Sequence, residues 1–259
     1  MKTQLRISAK TLGLLALPTF CPRCFWVRMR CGDKLPFQIF PGIFASIDSY
    51  SKKVTERHVA LRGRIPRWFD GFGDLGTPIP VPHWSKFNVV DPETNILLTG
   101  VPDEILRHQL RGLWIGDYKC ARFSNTQDDL AQMYVTQLNA YAFIAPRVGL
   151  GSVYGLGLLY YEPVTDIAVT EVDALVGDDA FSMRFAPKLL PIKVQPDLIP
   201  LLLQRARDIC DLPSVPTSAP GCRDCMLLDA LVAVTGGSGE EIAGPASRTV
   251  PIKVIASKH

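Results

Sequence analysis

The stretch Asn95–Ala121 reads N-I-L-L-T-G-V-P-D-E-I-L-R-H-Q-L-R-G-L-W-I-G-D-Y-K-C-A, and here the chain changes its period. Asn95–Leu106 and Leu113–Ala121 are apolar and β-prone, with Gln109–Gly112 suited to the turn of a hairpin. Alternate residues of a strand leave opposite faces, so Asp117 and Lys119 share one face while Tyr118 points the other way, into packing. Asp103, placed on the preceding hairpin strand, can converge on the same face. Outward from this hairpin, Asp129–Ile144 has helical spacing, with Leu130, Met133, Tyr134, Gln137, Leu138 and Tyr141 on one side. Gly149 and Gly151 end it. Ser152–Tyr161 reads as a returning strand, Ile167–Val172 as one more, and Pro196–Cys210 as a helix. Toward the N-terminus, Ser8 can cap a helix to about Leu17, and Pro22 opens a second. Phe44–Leu61 reads as a third, with Phe44, Ile47, Val54 and Leu61 as its buried positions, and Arg62–His83 as an irregular loop. The segment Pro213–Pro220 leads to a last short helix. The expected fold is α/β, a central mixed β-sheet flanked by helices, in one domain over residues 1–234. Residues 235–259 read as a loosely held tail, in which Val250–Ile255 can add a strand.

A chain of 259 residues, 47% hydrophobic, can bury one sizeable core. A net charge of +3 excludes a strong basic field over the whole protein, so nucleic-acid binding would rest on a local groove. The apolar stretch Leu12–Phe20 is interrupted by Pro18, and Thr19 and Phe20 stand where a leader peptide needs small residues. No apolar run approaches the ~20 residues of a membrane span. The expectation is a cytoplasmic protein with no membrane partner. The seven cysteines, an odd number in a long chain, argue against a disulfide framework. Cys21/Cys24 and Cys222/Cys225 have C-x-x-C spacing, which points to metal or cluster ligation in a reducing compartment.

The residues of the hairpin carry a specific chemistry. Phosphodiester hydrolysis needs a water made basic and a leaving oxygen whose charge is neutralised. Carboxylates supply the hard oxygen ligands that hold Mg²⁺ or Mn²⁺. A lysine beside the ion can orient the water or stabilise charge on the phosphate. Asp103, Asp117 and Lys119 fit these roles. Gln137 and Tyr141, spaced i, i+4 on the following helix, can reach a phosphate or the reacting water.

The ordered series Pro102-Asp103, Asp117-x-Lys119 and Gln137-x-x-x-Tyr141 resembles the motif set of RecB-type nucleases in the PD-(D/E)XK superfamily. RecB and AddB nuclease domains and the CRISPR-associated RecB-like exonucleases share that set. More narrowly, the chain resembles small stand-alone members of the superfamily, over residues 8 to 230. In those, C-P-R-C-F opens the chain (here Cys21–Phe25), an acidic residue precedes a lysine pair on a helix (Asp48, then Lys52 and Lys53), and a C-x-x-C closes it. The resemblance implies a restriction-endonuclease-like core. It implies metal ligation by Asp103 and Asp117, with the backbone carbonyl of Tyr118 as a further ligand. Lys119 would be the catalytic lysine, and Gln137 and Tyr141 would support the nucleic acid or the site. Where related exonucleases carry a helix His as another ligand, this chain offers Asp48, or His58 ten residues on; the lysine-pair context matches Asp48. The cofactors implied are Mg²⁺ or Mn²⁺ and, on Cys21, Cys24, Cys222 and Cys225, a [4Fe–4S] cluster with Zn²⁺ as the alternative. The four cysteines are expected to converge. Relatives usually have three late cysteines, and here Cys24 must stand in for the one missing after Cys225. Cys31, Cys120 and Cys210 read as packing thiols.

The implied activity is metal-dependent DNA hydrolysis, as an exonuclease on single-stranded ends or flaps in repair or CRISPR-linked defence. A helicase or a CRISPR adaptation protein is the kind of partner this implies. Lys52, Lys53 and Arg57, followed by Arg62, Arg64 and Arg67 with Trp68 and Phe69, can line a groove for the DNA backbone with an aromatic to stack a base. Arg107, Arg111 and Arg122 bracket the hairpin as comparable candidates. Two rival readings stand beside this one: a non-catalytic DNA- or partner-binding protein that keeps the nuclease fold and a structural metal, and a metal-cluster protein with no nucleic-acid role.

Overall fold

Ser8 does cap the first helix: its hydroxyl accepts the Thr11 N–H at 3.0 Å, opening α1 (Ala9–Gly13). A 3-10 turn, Leu14–Ala16, follows, and the helix stops where Leu17 turns extended ahead of Pro18. The computed structural model describes residues 3–33, 35, 42–121, 130–165 and 172–235. The chain divides into two compact units, Met1–Pro220 and Gly221–His259.

The first unit contains two sheets flanked by helices, an α/β architecture. In a three-stranded sheet, β1 (Leu5–Ser8) runs parallel to β4 (Ile96–Thr99), which pairs antiparallel with β3 (Asn88–Asp91). The β3–β4 turn is held by Asp91, whose Oδ2 accepts the Thr94 N–H at 3.0 Å and the Thr94 hydroxyl at 2.6 Å. The five-stranded sheet has the order β2 (Thr77–Pro78), β5 (Glu104–His108), β6 (Gly112–Lys119), β7 (Val153–Pro163), β8 (Phe185–Ile192). Strands β5 and β6 form the expected hairpin. Helix α4 (Ala131–Arg147) then crosses back, and β7 lies parallel to β6. Strand β8 returns antiparallel, so the sheet is mixed.

Asn95–Leu106 is not one strand. The chain leaves β4 at Gly100, whose N–H is taken by Phe87 O at 3.1 Å, and Pro102 has no donor with which to continue a ladder. A Cβ at Gly100 would lie 2.7 Å from the Tyr141 ring, so the break is also a close approach of backbone to α4. Asp103 therefore sits just ahead of β5, not on it, with its N–H on Gly116 O at 3.2 Å.

Strand alternation divides the core. Ile105, Leu113, Ile115 and Leu158 pack with Ile7, Leu12, Leu138 and Tyr141 under α1 and α4. Leu106, Trp114, Tyr118 and Leu159 face the other way, against Phe69, Leu75 and Tyr161. Trp114 lies flat over three glycines: a Cβ at Gly116, Gly155 or Gly157 would meet its ring at 2.5, 2.7 and 2.5 Å.

Helix α3 (Gly42–Arg62) corrects the expected burial pattern. Phe44, Val54 and Leu61 are exposed, and the residues it buries are Ser51 and Thr55. The tight contact uses hydroxyls, with Thr55 Oγ1 3.3 Å from Tyr161 OH, so apolar spacing pointed to the wrong face. Within Arg62–His83 the chain forms a 3-10 turn, Arg67–Phe72, and β2. Helices α2 (Pro22–Arg30) and α5 (Leu198–Cys210) match expectation. Residues 166–171, where a further strand was expected to begin, and Val250–Ile255 lie outside the described residues. The second unit contributes α6 (Arg223–Thr235), whose Met226 N–H bonds Cys222 O at 3.1 Å. Among the described residues, no helix is long and apolar enough to cross a membrane.

Candidate functional site

Strand β6 and helix α4 form one wall of a cavity of about 460 Å³. Because β6 alternates, Asp117 and Lys119 both face α4, and the Lys119 ammonium pairs with Asp117 Oδ2. Gln137, one turn before Tyr141 on α4, donates from Nε2 to Asp117 Oδ1 at 2.9 Å and to Tyr141 OH at 2.7 Å. The Tyr141 hydroxyl donates in turn to Val101 O at 3.1 Å, just before Asp103. Asp117 is 2% exposed and Gln137 6%, so this chain of bonds is shielded from water. Among the described residues, one polar atom in it has no partner: Gln137 Oε1, a buried acceptor.

Asp103 and helix α3 form the other wall. Asp103 Oδ2 accepts the Tyr118 N–H at 2.6 Å, and Oδ1 is 2.7 Å from Lys52 Nζ. Lys52 also reaches Asp48 Oδ2 at 2.8 Å, one turn earlier on α3. Asp48, Asp103, Asp117, Lys119 and Gln137 thus line a single cavity, and Tyr118 lines it too. The side chain of Tyr118 goes to the opposite face, where its hydroxyl donates to Glu104 Oε2 at 2.9 Å.

These placements set the charges. Burial, together with the neighbouring Asp117 charge, pushes Asp103 up to about 6 despite Lys52. Burial works against charge on Lys52 and Lys119, but the carboxylates of Asp103 and Asp117 outweigh it and hold both ammonium groups above the ordinary lysine value. Lys10, from α1, lines the same cavity, and burial plus the Lys119 charge lower it. Burial pushes Glu104 up to about 7.

Five expected positions, Asp103, Asp117, Lys119, Gln137 and Tyr141, are therefore brought together, and Asp48 joins them. His58 does not: its Nδ1 is 3.1 Å from Arg64 O and its ring packs against Trp68. Of the expected DNA-contacting group, Lys53 and Arg57 are exposed on α3, but Lys52 is bound to Asp103 and Asp48. Phe69 is fully buried and cannot stack on a base. Arg107 and Arg111 are engaged, by Leu150 O at 3.2 Å and by the Tyr154 ring, and Arg122 lies outside the described residues. Lys10 and Glu104 had no role in the sequence reading, and no local pattern marks either as a neighbour of Asp117 or Tyr118.

The thiols of Cys21, Cys24, Cys222 and Cys225 lie within 4.8 Å of one another, a group that could hold a metal ion. Cys120 and Cys210 pack against the cores as expected, whereas Cys31 is exposed at the end of α2.

No protein-family model matches the chain, and no curated protein does. Among solved structures, one described as "Crystal structure of SSO0001" aligns with 14% identity and a TM-score of 0.35, over 82% of this chain and 80% of that one. A likeness at that score carries no argument about what the chain does.

Proposed function

We propose that the protein is a metal-dependent nuclease of the PD-(D/E)XK type, RecB-like branch, with a restriction-endonuclease-like core, which hydrolyses DNA phosphodiester bonds. The observation that carries this reading is the single cavity in which three carboxylates, Asp48, Asp103 and Asp117, meet the Lys119 ammonium. The donor set fits a hard divalent cation. Oxygen ligands predominate, and Gln137 Oε1 adds a buried acceptor with no partner among the described residues. A bound Mg²⁺ or Mn²⁺ would supply Lewis-acid charge to a phosphate oxygen and make a water more acidic.

The rest of the chemistry belongs to the chain. The carboxylates of Asp48, Asp103 and Asp117 are met by the Lys10, Lys52 and Lys119 ammonium groups, so the charges balance and a dication is drawn to the carboxylates once an ammonium withdraws. Lys119 would stabilise charge on the scissile phosphate, held in place by Asp117. Gln137 and Tyr141 orient Asp117 and brace the Val101 backbone next to Asp103. Action on single-stranded ends or flaps follows from the resemblance. Repair or CRISPR-linked defence, with a helicase or an adaptation protein as partner, follows from the resemblance alone. A cytoplasmic location follows from the use of thiols as ligands in a reducing compartment.

For the four cysteines we propose a [4Fe–4S] cluster, with Zn²⁺ as the alternative. The resemblance speaks for the cluster. Tetrahedral Zn–S bonds of ~2.3 Å would put sulfurs about 3.8 Å apart, which the 4.8 Å grouping also admits. Iron, sulfide and zinc analysis of anaerobically purified protein separates them, and finding none of the three removes the proposal. The nuclease reading is tested on end-labelled single- and double-stranded DNA with Mn²⁺ or Mg²⁺. Degradation of single strands that stops with EDTA is expected. Purified, metal-loaded protein that binds DNA and cleaves none of it would leave the non-catalytic binding reading in its place.

A further inference from the structure

We propose that Lys52 is a built-in cation of the acidic site, which occupies the position a divalent ion needs and must leave before one binds. This rests on the metal-dependent reading above and adds to it a competitor for the ion within the chain.

Every carboxylate oxygen of Asp103 and Asp117 already has a protein partner. Asp117 is bound by Gln137 Nε2 and by Lys119, and Asp103 by the Tyr118 N–H and by Lys52. Each of these oxygens keeps a further lone pair, so a neutral donor can stay beside an ion, whereas an ammonium on the same oxygen repels it. The Gln137 amide and the Tyr118 N–H are fixed by a buried helix and a strand. Lys119, with its side chain 18% exposed, is anchored in β6. Lys52 is different. Its side chain is 32% exposed and ends a flexible stem on α3. It is also the group that ties α3 to the segment ahead of β5, 2.7 Å from Asp103 Oδ1 and 2.8 Å from Asp48 Oδ2. One ammonium thus bridges two candidate ligands from different elements, as a metal would. Buried carboxylates need a compensating charge, and Lys52 supplies it to Asp103. It also has somewhere to go: it borders a second cavity of about 720 Å³, between α3 and the segment Pro78–Trp84, which shares Asp103 with the first.

The test is Mn²⁺ titration by calorimetry at neutral pH on the full chain, with wild type, Lys52→Met, Lys52→Gln and Lys52→Arg. Removing the ammonium removes a charge-assisted bond that the ion has to break, so Lys52→Met and Lys52→Gln should bind Mn²⁺ about tenfold more tightly. Lys52→Arg should bind no more tightly than wild type. Melting gives a second readout: the two neutral variants should melt below wild type in EDTA and gain more than wild type on adding Mn²⁺. A neutral variant that folds only with Mn²⁺ present supports the proposal in the same way. Equal or weaker Mn²⁺ binding by folded neutral variants, with wild type binding normally, overturns it and leaves the metal reading intact. If no form binds Mn²⁺, the metal reading fails and this inference with it.

Discussion

Helix α4 is buried without a break from Thr136 to Ala145, whereas α3, four residues longer, buries only Ser51 and Thr55. Both line the same cavity. Through Gln137 and Tyr141, α4 acts by neutral hydrogen bonds held in a packed core. Through Asp48 and Lys52, α3 acts by ion pairs at a half-exposed surface. Bonds of the first kind keep their geometry because packing leaves them no alternative, while those of the second can exchange with water, ions or phosphate. The α4 side should thus govern rate and stability together, whereas on the α3 side Asp48 should govern metal affinity with little effect on stability.

The largest effect should come from the shared carboxylate. Asp117→Asn should lower single-turnover cleavage about 10³-fold and lower the melting temperature by leaving the buried Lys119 ammonium unpaired. Wild-type cleavage by this variant would remove Asp117 from the chemistry.

Glu104 lies behind Tyr118 with Glu56 of α3 among its neighbours, and burial raises it to about 7. An acid raised in the folded state favours folding fully below its unfolded value near 4.5, and this contribution is lost as pH rises through 7. Urea unfolding in EDTA should show stability falling over that window, by on the order of 3 kcal/mol for a shift of this size. Glu104→Gln should remove that part of the slope. An unchanged slope in the variant would assign it elsewhere, first to Asp103, which titrates with the same sign near 6.

Tyr141→Phe deletes the bond to Val101 O and the acceptor for Gln137, and should cost about 1 kcal/mol in stability and about tenfold in turnover. Asp48→Asn should change stability by less than about 0.5 kcal/mol while weakening Mn²⁺ binding in calorimetry. If Asp48→Asn proved the more destabilising of the two, the contrast between the helices would be wrong.

Much of the α4 side was legible in the sequence because its rules are local. Strand alternation puts Asp117 and Lys119 on one face, and i, i+4 spacing puts Gln137 beside Tyr141. Asp103 was found, but its strand was not read correctly: the break at Gly100 depends on the Tyr141 ring, which is remote in sequence. Strand β8 was missed because Pro187 and Pro191 interrupt its pattern, as an edge strand allows. On α3, apolar spacing predicted burial for Phe44 and Leu61, while the real contact is made by hydroxyls. The Asp48–Lys52 pair is a local i, i+4 contact, but the bond from Lys52 to Asp103 and the approach of Lys10 are tertiary, set by where α3 and α1 dock.

The central claim is that Lys119 acts on a phosphate in this cavity. Its most direct test is the Lys119→Ala variant, measured for single-turnover cleavage of end-labelled single-stranded DNA in Mn²⁺ and for affinity to the same DNA in Ca²⁺. Cleavage should be abolished, with the fold and most of the DNA affinity retained. Cleavage at the wild-type rate by the folded variant would contradict the account.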